Sequence, residues 1–139
     1  MEYVRITEKD AEALKLLQIG YKREIDEELP TDGDFERLFQ AISDQLILFY
    51  GCREGDRLVA CCSVSPTFST FDYQKSGVFE DFYIIPERRH QGIAGKLIRF
   101  AYEQSGVSTL TVGCADCDVE MYRSLGFGIR LGNMYAYEG

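Results

Sequence analysis

Residues 79–98 read FEDFYIIPERRHQGIAGKLI, and this stretch holds the residue types best suited to chemistry. An apolar run ends at Pro86, and a turn carries Arg88, Arg89, His90 and Gln91. Gly92, Ala94 and Gly95 then fall along the first turn of an amphipathic helix whose buried stripe is Ile93, Leu97 and Ala101. The first N–H groups of a helix have no internal partner and carry the positive end of its dipole. Small side chains let a diphosphate come close to them, and Arg88 or Arg89 adds a cationic partner. The segment from His90 to Gly95 therefore suits a diphosphate-bearing ligand. No G-K-[ST] follows, so this is not a Walker loop, and it lacks the GxGxxG dinucleotide spacing. A plain strand–turn–helix with small residues for close packing would present the same pattern.

The second candidate chemistry is thiol chemistry. Cys114-Ala-Asp-Cys117 is a CxxC, which can be a redox pair or half a zinc site. No second CxxC follows, and the only histidine, His90, belongs to the glycine turn, so four zinc ligands are not in hand and no metal is expected. Five cysteines, an odd number, argue against a disulfide framework. Cys61 and Cys62 lie in an apolar run, as small buried hydrophobes do.

The elements that must position these residues are legible in outline. Val4–Ile6 reads as a strand, and Thr7 caps a helix through about Gly20. Tyr21 to Leu29 reads as a second helical piece stopped at Pro30, with Thr31–Asp34 as a turn. Phe35, Leu38, Phe39 and Ile42 repeat at helical spacing. Leu46–Tyr50 and Leu58–Val64 are strands joined at Arg53–Asp56, and Pro66–Ser76 reads as a loop. Val78–Ile85 is a fourth strand, apolar on both faces and hence central. A helix over 91–104 stops at Gly106, Thr109–Val112 is a fifth strand, and a short helix ends near Leu125. Strands from Gly126 to Tyr137 close the chain. The order predicts an α/β or α+β fold with a mixed sheet.

A chain of 139 residues is read as a single domain, 1–139. The net charge of −8 disfavours nucleic acid and weakly favours cationic ligands. No apolar run is long enough to span a membrane, and the N-terminus lacks the basic-then-apolar order of a signal peptide. The expected location is the cytoplasm. A homodimer is compatible with these features.

Arg89-His90-Gln91-Gly92-Ile93-Ala94 matches the Q/R-x-x-G-x-G/A signature, and the chain thereby resembles the GNAT superfamily of N-acetyltransferases. Pro86, Glu87 and Leu97 extend the likeness. Glu80-Asp81-Phe82-Tyr83-Ile84 looks like the acid-bearing fourth strand of polyamine-type members, and Met121-Tyr122-Arg123-Ser124-Leu125-Gly126-Phe127 resembles the second signature, Y-x-x-x-G-F. Family members often carry Asn then Ala ahead of that tyrosine; here Ala115 and Asp118 stand there, and those coenzyme contacts do not transfer. The resemblance implies a mostly antiparallel central sheet with splayed middle strands flanked by helices. It implies acetyl-coenzyme A as co-substrate, with its pantetheine arm paired to Phe82, Tyr83 and Ile84 and its diphosphate on Arg89 to Gly95. A β-bulge often reinforces such a splay.

Acetyl transfer needs a neutral amine, a stabilised carbonyl oxygen and a protonated leaving thiolate. Glu80, mid-strand among apolar residues, is the first choice for accepting the amine proton, directly or through water; Asp81 is the alternative, on the opposite face by strand alternation. The resemblance makes Tyr122 the general acid to the thiolate, and an N–H near Phe82 the carbonyl partner. Glu24, Asp26, Glu27, Glu28, Phe68, Phe71 and Tyr73 are candidates for an acceptor pocket that suits a small cationic amine. A non-catalytic acetyl-coenzyme A sensor, or a CxxC thiol or metal protein, are the competing readings.

Overall fold

The computed structural model describes residues 1–139. Its sheet is built from β1 (Glu2–Arg5), β2 (Leu48–Glu54), β3 (Arg57–Ser69), β4 (Gln74–Ile84) and β5 (Thr109–Thr111), in that spatial order. Every neighbouring pair is antiparallel except β4 and β5, which are parallel. The helices are α1 (Ala11–Glu24), α2 (Asp32–Ser43), α3 (Ile93–Ser105) and α4 (Val119–Ser124). This is the expected mixed fold: a mostly antiparallel sheet flanked by helices.

The core is the strip from Leu58 to Val64, where almost every side chain is buried, with α1 packed on β3 and β4 and α3 on β2 and β3. Ile93, Leu97 and Ala101 of α3 are the buried stripe that sequence spacing indicates; of the apolar positions Ala13, Leu14, Leu16 and Leu17 in α1, Leu14 and Leu17 are buried and Leu16 is exposed. Cys61 and Cys62 are fully buried hydrophobes, and burial pushes both thiols up. Gly106 ends α3 at a φ of +70°, where a side chain would be strained.

Four expectations are corrected. α1 runs through Gly20 to Glu24 as one helix, and no second helix covers 25–31. Thr31–Asp34 is a helix start: the Thr31 hydroxyl accepts from Asp34 N–H at 3.1 Å, and the Asp34 carboxylate accepts from Thr31 N–H at 2.9 Å. Pro66–Ser76 is mostly strand, since β3 and β4 pair out to Ser69 and Gln74. Pairing of β3 with β2 ends at Val64, so Pro66 lies where one strand edge is already free and its missing N–H costs no ladder bond. The closing strands from Gly126 do not form: 127–139 have no regular structure, and Met134, Tyr135 and Tyr137 are exposed. Gly126 and Gly132 take positive φ in this segment.

Two irregularities in β4 set up the site. Pairing with β5 covers only Ser76–Val78, so Phe79–Ile84 is held by β3 alone and its other edge is open. That is a splay of the middle strands. Within the open part, Tyr83 faces Cys61 but Glu80 faces Ser63, so two residues, Asp81 and Phe82, stand opposite one. This is a β-bulge, with Asp81 at a φ of +57°.

Candidate active site

The glycine turn begins with a 3-10 turn at Pro86–Arg88. His90 and Gly92 both take positive φ, +62° and +82°, and α3 starts at Ile93. The expected helix thus begins two residues late, because the left-handed Gly92 is its cap. Buried Ile93 and Leu97 clamp the helix to the core, while Gly92 and Gly95 face open space: a Cβ on either would meet no atom within 4 Å. No side chain caps this end, so the first-turn N–H groups are free to receive a diphosphate. The residues present fit that group. The two arginines are engaged with protein. Arg88 forks onto Glu54 with two bonds of 2.8 Å. Arg89 donates from Nε to the Ile84 carbonyl at 2.9 Å and from Nη2 to Glu24.

Next to the turn lies the open edge of β4, carrying half-buried Phe82, Tyr83 and Ile84. Across the gap, Tyr122 of α4 sits among Phe82, with ring centroids 6.3 Å apart, and Phe127, 5.7 Å away and edge-on; Phe79 packs on both of those rings. Burial, then the neighbouring Tyr21, Asp118 and Cys114, pushes the Tyr122 phenol up to about 12. Tyr122 therefore stays protonated across the working pH range.

Tyr122, Glu80, Asp81, Tyr21, Lys22 and Glu27 line one cleft of about 320 Å³ between α1, β4 and the segment after β5. The expectation that alternation sends Glu80 and Asp81 to opposite faces fails, because the bulge adds a residue between them and their partners and both reach this cleft. Their situations differ. Asp81 is bound on both oxygens, by Ser63 Oγ at 2.6 Å and Gln18 Nε2 at 3.2 Å, from two buried side chains. Glu80 has no hydrogen-bond partner in the protein and is open to the cleft. Its carboxyl is raised above the usual range, first by partial desolvation against the cleft walls and then by the charge of Asp81, with Lys22 pulling the other way.

Tyr21, Lys22, Gln18 and Ser63 are site residues that sequence reading misses. The signal was present for two of them: Leu14, Leu17, Gln18 and Tyr21 share one helical stripe, and a glutamine and a tyrosine on an otherwise core-facing stripe are polar groups in need of partners. Of the acceptor candidates, Glu27 lines the cleft and pairs with Lys22 at 3.0 Å. Glu28 lines a neighbouring cavity of about 330 Å³ against α2. Glu24 is taken by Arg89, and Asp26 lies beyond the end of α1 at positive φ. Phe68, Phe71 and Tyr73 sit at the β3–β4 hairpin tip, 67%, 95% and 71% exposed, and do not line the cleft. Cys114 and Cys117 are exposed free thiols. No group of three His, Cys, Asp or Glu side chains is placed to hold a metal ion, and no helix is long and apolar enough to cross a membrane.

The fold has many solved relatives. A possible acetyltransferase from Clostridium difficile 630 superposes with a TM-score of 0.87 at 15% identity, over 99% of this chain and 97% of that one. A predicted acetyltransferase with acetyl-CoA from Clostridium acetobutylicum gives 0.78 at 14% identity, over 99% and 95%. An aminoglycoside acetyltransferase from an uncultured soil metagenomic sample, in complex with sisomicin, gives 0.80 at 15% identity, over 99% and 95%. At these identities the likeness establishes the fold alone. No curated protein matches the sequence. Residues 45–129 match the family model described as an acetyltransferase (GNAT) domain, a stretch that runs from the approach to β2 through the glycine turn, the open edge of β4 and Tyr122. That match covers more than half of the chain and every element of the cleft except α1, so the protein belongs to the GNAT family and is an N-acetyltransferase.

Proposed function

We propose that the chain is one N-acetyltransferase domain, 1–139, that moves an acetyl group from acetyl-coenzyme A directly onto a primary amine, in particular a small cationic one. The observation that carries this reading is that a carboxylate with no hydrogen-bond partner, Glu80, and the Tyr122 phenol line one cleft where β4 parts from β5. When bound, acetyl-coenzyme A supplies a thioester carbonyl. The N–H groups from His90 to Gly95, in the turn and the start of α3, hold its diphosphate, and the open backbone of Phe82, Tyr83 and Ile84 holds the arm leading to the thioester. A backbone N–H at the bulge, near Phe82, polarises the carbonyl oxygen as charge develops on it.

A free alkylamine resembles lysine, with a pKa of about 10.4, and is mostly protonated at neutral pH. Glu80 draws the ammonium form into the cleft and takes a proton from it, directly or through water, and the lone pair so freed attacks the thioester carbonyl. Its raised pKa makes it a better base than a free carboxylate. Tyr122 serves the departing sulfur. A thiol has a pKa of about 8.5, well below the phenol's value of about 12. Complete proton transfer from Tyr122 is therefore uphill, and its main contribution is a hydrogen bond to the sulfur as negative charge builds there. Asp81, held by Ser63 and Gln18, fixes the bulge. A passive sensor of acetyl-coenzyme A needs neither the free carboxylate nor the caged phenol.

Glu27, Glu80 and Asp81 outnumber Lys22 around the cleft, which favours a cationic acceptor; the similar fold of an aminoglycoside acetyltransferase is in keeping with this. The test is an acetyl-coenzyme A turnover screen against polyamines, aminoglycosides, amino sugar phosphates and peptide N-termini, followed by free thiol release. Cationic amines should accelerate release and amino sugar phosphates should not. Release that no amine accelerates would overturn the reading.

A further inference from the structure

Arg89 stands in the glycine turn, where a diphosphate would be expected to claim it, yet its contacts run the other way. Nε donates to the carbonyl of Ile84, the last residue of β4, and Nη2 to Glu24, the last residue of α1. Its guanidinium lies 5.6 Å from the Tyr83 ring centroid. Tyr83 in turn packs 6.4 Å from Tyr21, and its hydroxyl presses on Gly20, where an added Cβ would come within 2.8 Å. One side chain thus joins the end of β4, the coenzyme turn and the last turns of α1. Those same turns carry Gln18, which holds Asp81, and Tyr21 and Lys22, which line the cleft.

We infer that Arg89 is a positioning residue: with Glu24 and Tyr83 it forms a strut that holds the C-terminal half of α1 against β4 and so sets the width of the acceptor cleft. A planar guanidinium suits this role because its fork reaches a carbonyl and a carboxylate at once while one face stacks on a ring. The diphosphate is left to the backbone N–H groups at Gly92 and beyond, which nothing in the protein occupies. The strut therefore governs the acceptor side of the reaction and leaves the coenzyme side largely untouched. The inference rests on reading the Tyr21–Tyr122 cleft as the acceptor site.

The experiment compares Arg89→Ala, Glu24→Gln and the double variant in the full chain. It reads acetyl-coenzyme A affinity by calorimetry, acceptor KM and kcat with the best amine from the screen, and backbone hydrogen exchange over Tyr21–Glu24. Each single variant should raise acceptor KM about tenfold, the double should do no more than either, and coenzyme affinity should change less than about threefold. Exchange over Tyr21–Glu24 should quicken in all three. Arg89→Ala separates the strut from a direct contact between Glu24 and a cationic amine, because freeing Glu24 for such a contact would lower KM. If Arg89→Ala weakens coenzyme binding tenfold or more while Glu24→Gln changes nothing, Arg89 is a diphosphate ligand and the strut is overturned. Unchanged exchange in folded variants overturns it as well. If the wild type acetylates no amine, the functional reading fails, and the exchange result alone still decides whether the strut exists.

Discussion

β4 is one strand with two regimes. From Ser76 to Val78 it has a partner on each edge, and Gly77 is so tightly enclosed that an added Cβ would lie 2.4 Å from Val64 Cγ1 and 3.3 Å from Leu110 Cδ2. From Phe79 to Ile84 it has one partner, a bulge, and a carboxylate with no hydrogen bond. The closed half satisfies its backbone inside the sheet and contributes stability. The open half leaves backbone groups and Glu80 for a ligand to satisfy. No buried side-chain polar atom in the protein lacks a partner; Glu80 is exposed to the cleft, so the open edge is solvated and free for a ligand to pair with. The closed half also shows how the open one stays in place: three residues of parallel pairing and the packing of Leu110 and Val107 around Gly77 anchor the strand just before it splays.

The comparison can be broken at three points. The largest effect is expected beside the open half, at Gly92→Glu. A glutamate puts bulk and negative charge where the diphosphate meets the helix N-terminus, and strains a residue at a φ of +82°. Acetyl-coenzyme A affinity should fall by at least about two orders of magnitude by calorimetry. Unchanged affinity in a folded protein would remove the turn from the site. Next, Tyr122→Phe keeps the ring between Phe82 and Phe127 and removes the hydroxyl. It should lower kcat by about 100-fold with coenzyme affinity nearly constant. Wild-type turnover would reduce Tyr122 to packing. In the closed half, Gly77→Ala should cost about 1–3 kcal/mol of stability in denaturant unfolding, while the folded fraction keeps its kcat. A loss of kcat without a loss of stability would show that the two halves are not separable in this way.

Parts of this were legible in the sequence for a physical reason: they are local. The glycine turn is written in consecutive residues, with Pro86 ending the strand and small residues opening the helix, though the left-handed cap at Gly92 is not visible in that pattern. The β2–β3 hairpin, the α3 stripe and the Gly106 stop follow from short-range periodicity and backbone preference. The bulge at Asp81 was not legible at that residue, because alternation assumes one residue opposite one, and only cross-strand register reveals the extra one. The hairpin arms around Pro66 read as a loop because the proline's tolerance depends on where the pairing of β2 stops. Tyr135-Ala136-Tyr137 alternates like a strand, but alternation makes a strand only where an edge receives it. The contacts of Arg89 with Glu24 and Tyr83 join segments far apart in sequence, which no local pattern records.

The central claim is that the unpartnered carboxylate of the open half is the base, and the pH dependence of kcat/KM in the wild type and in Glu80→Gln tests it most directly. Glutamine keeps the shape and removes the basicity. Glu80 titrates above the usual carboxylate range, so wild-type activity should show one rise at lower pH as the carboxyl loses its proton and then level off, because Glu80 itself deprotonates the bound amine. The Gln variant should lack that rise, run about 100-fold slow near neutrality, and approach the wild type at alkaline pH, where the amine is already neutral. A Gln variant with full activity at neutral pH would contradict the account, leaving the proton to Asp81, to a chain of waters or to bulk solvent.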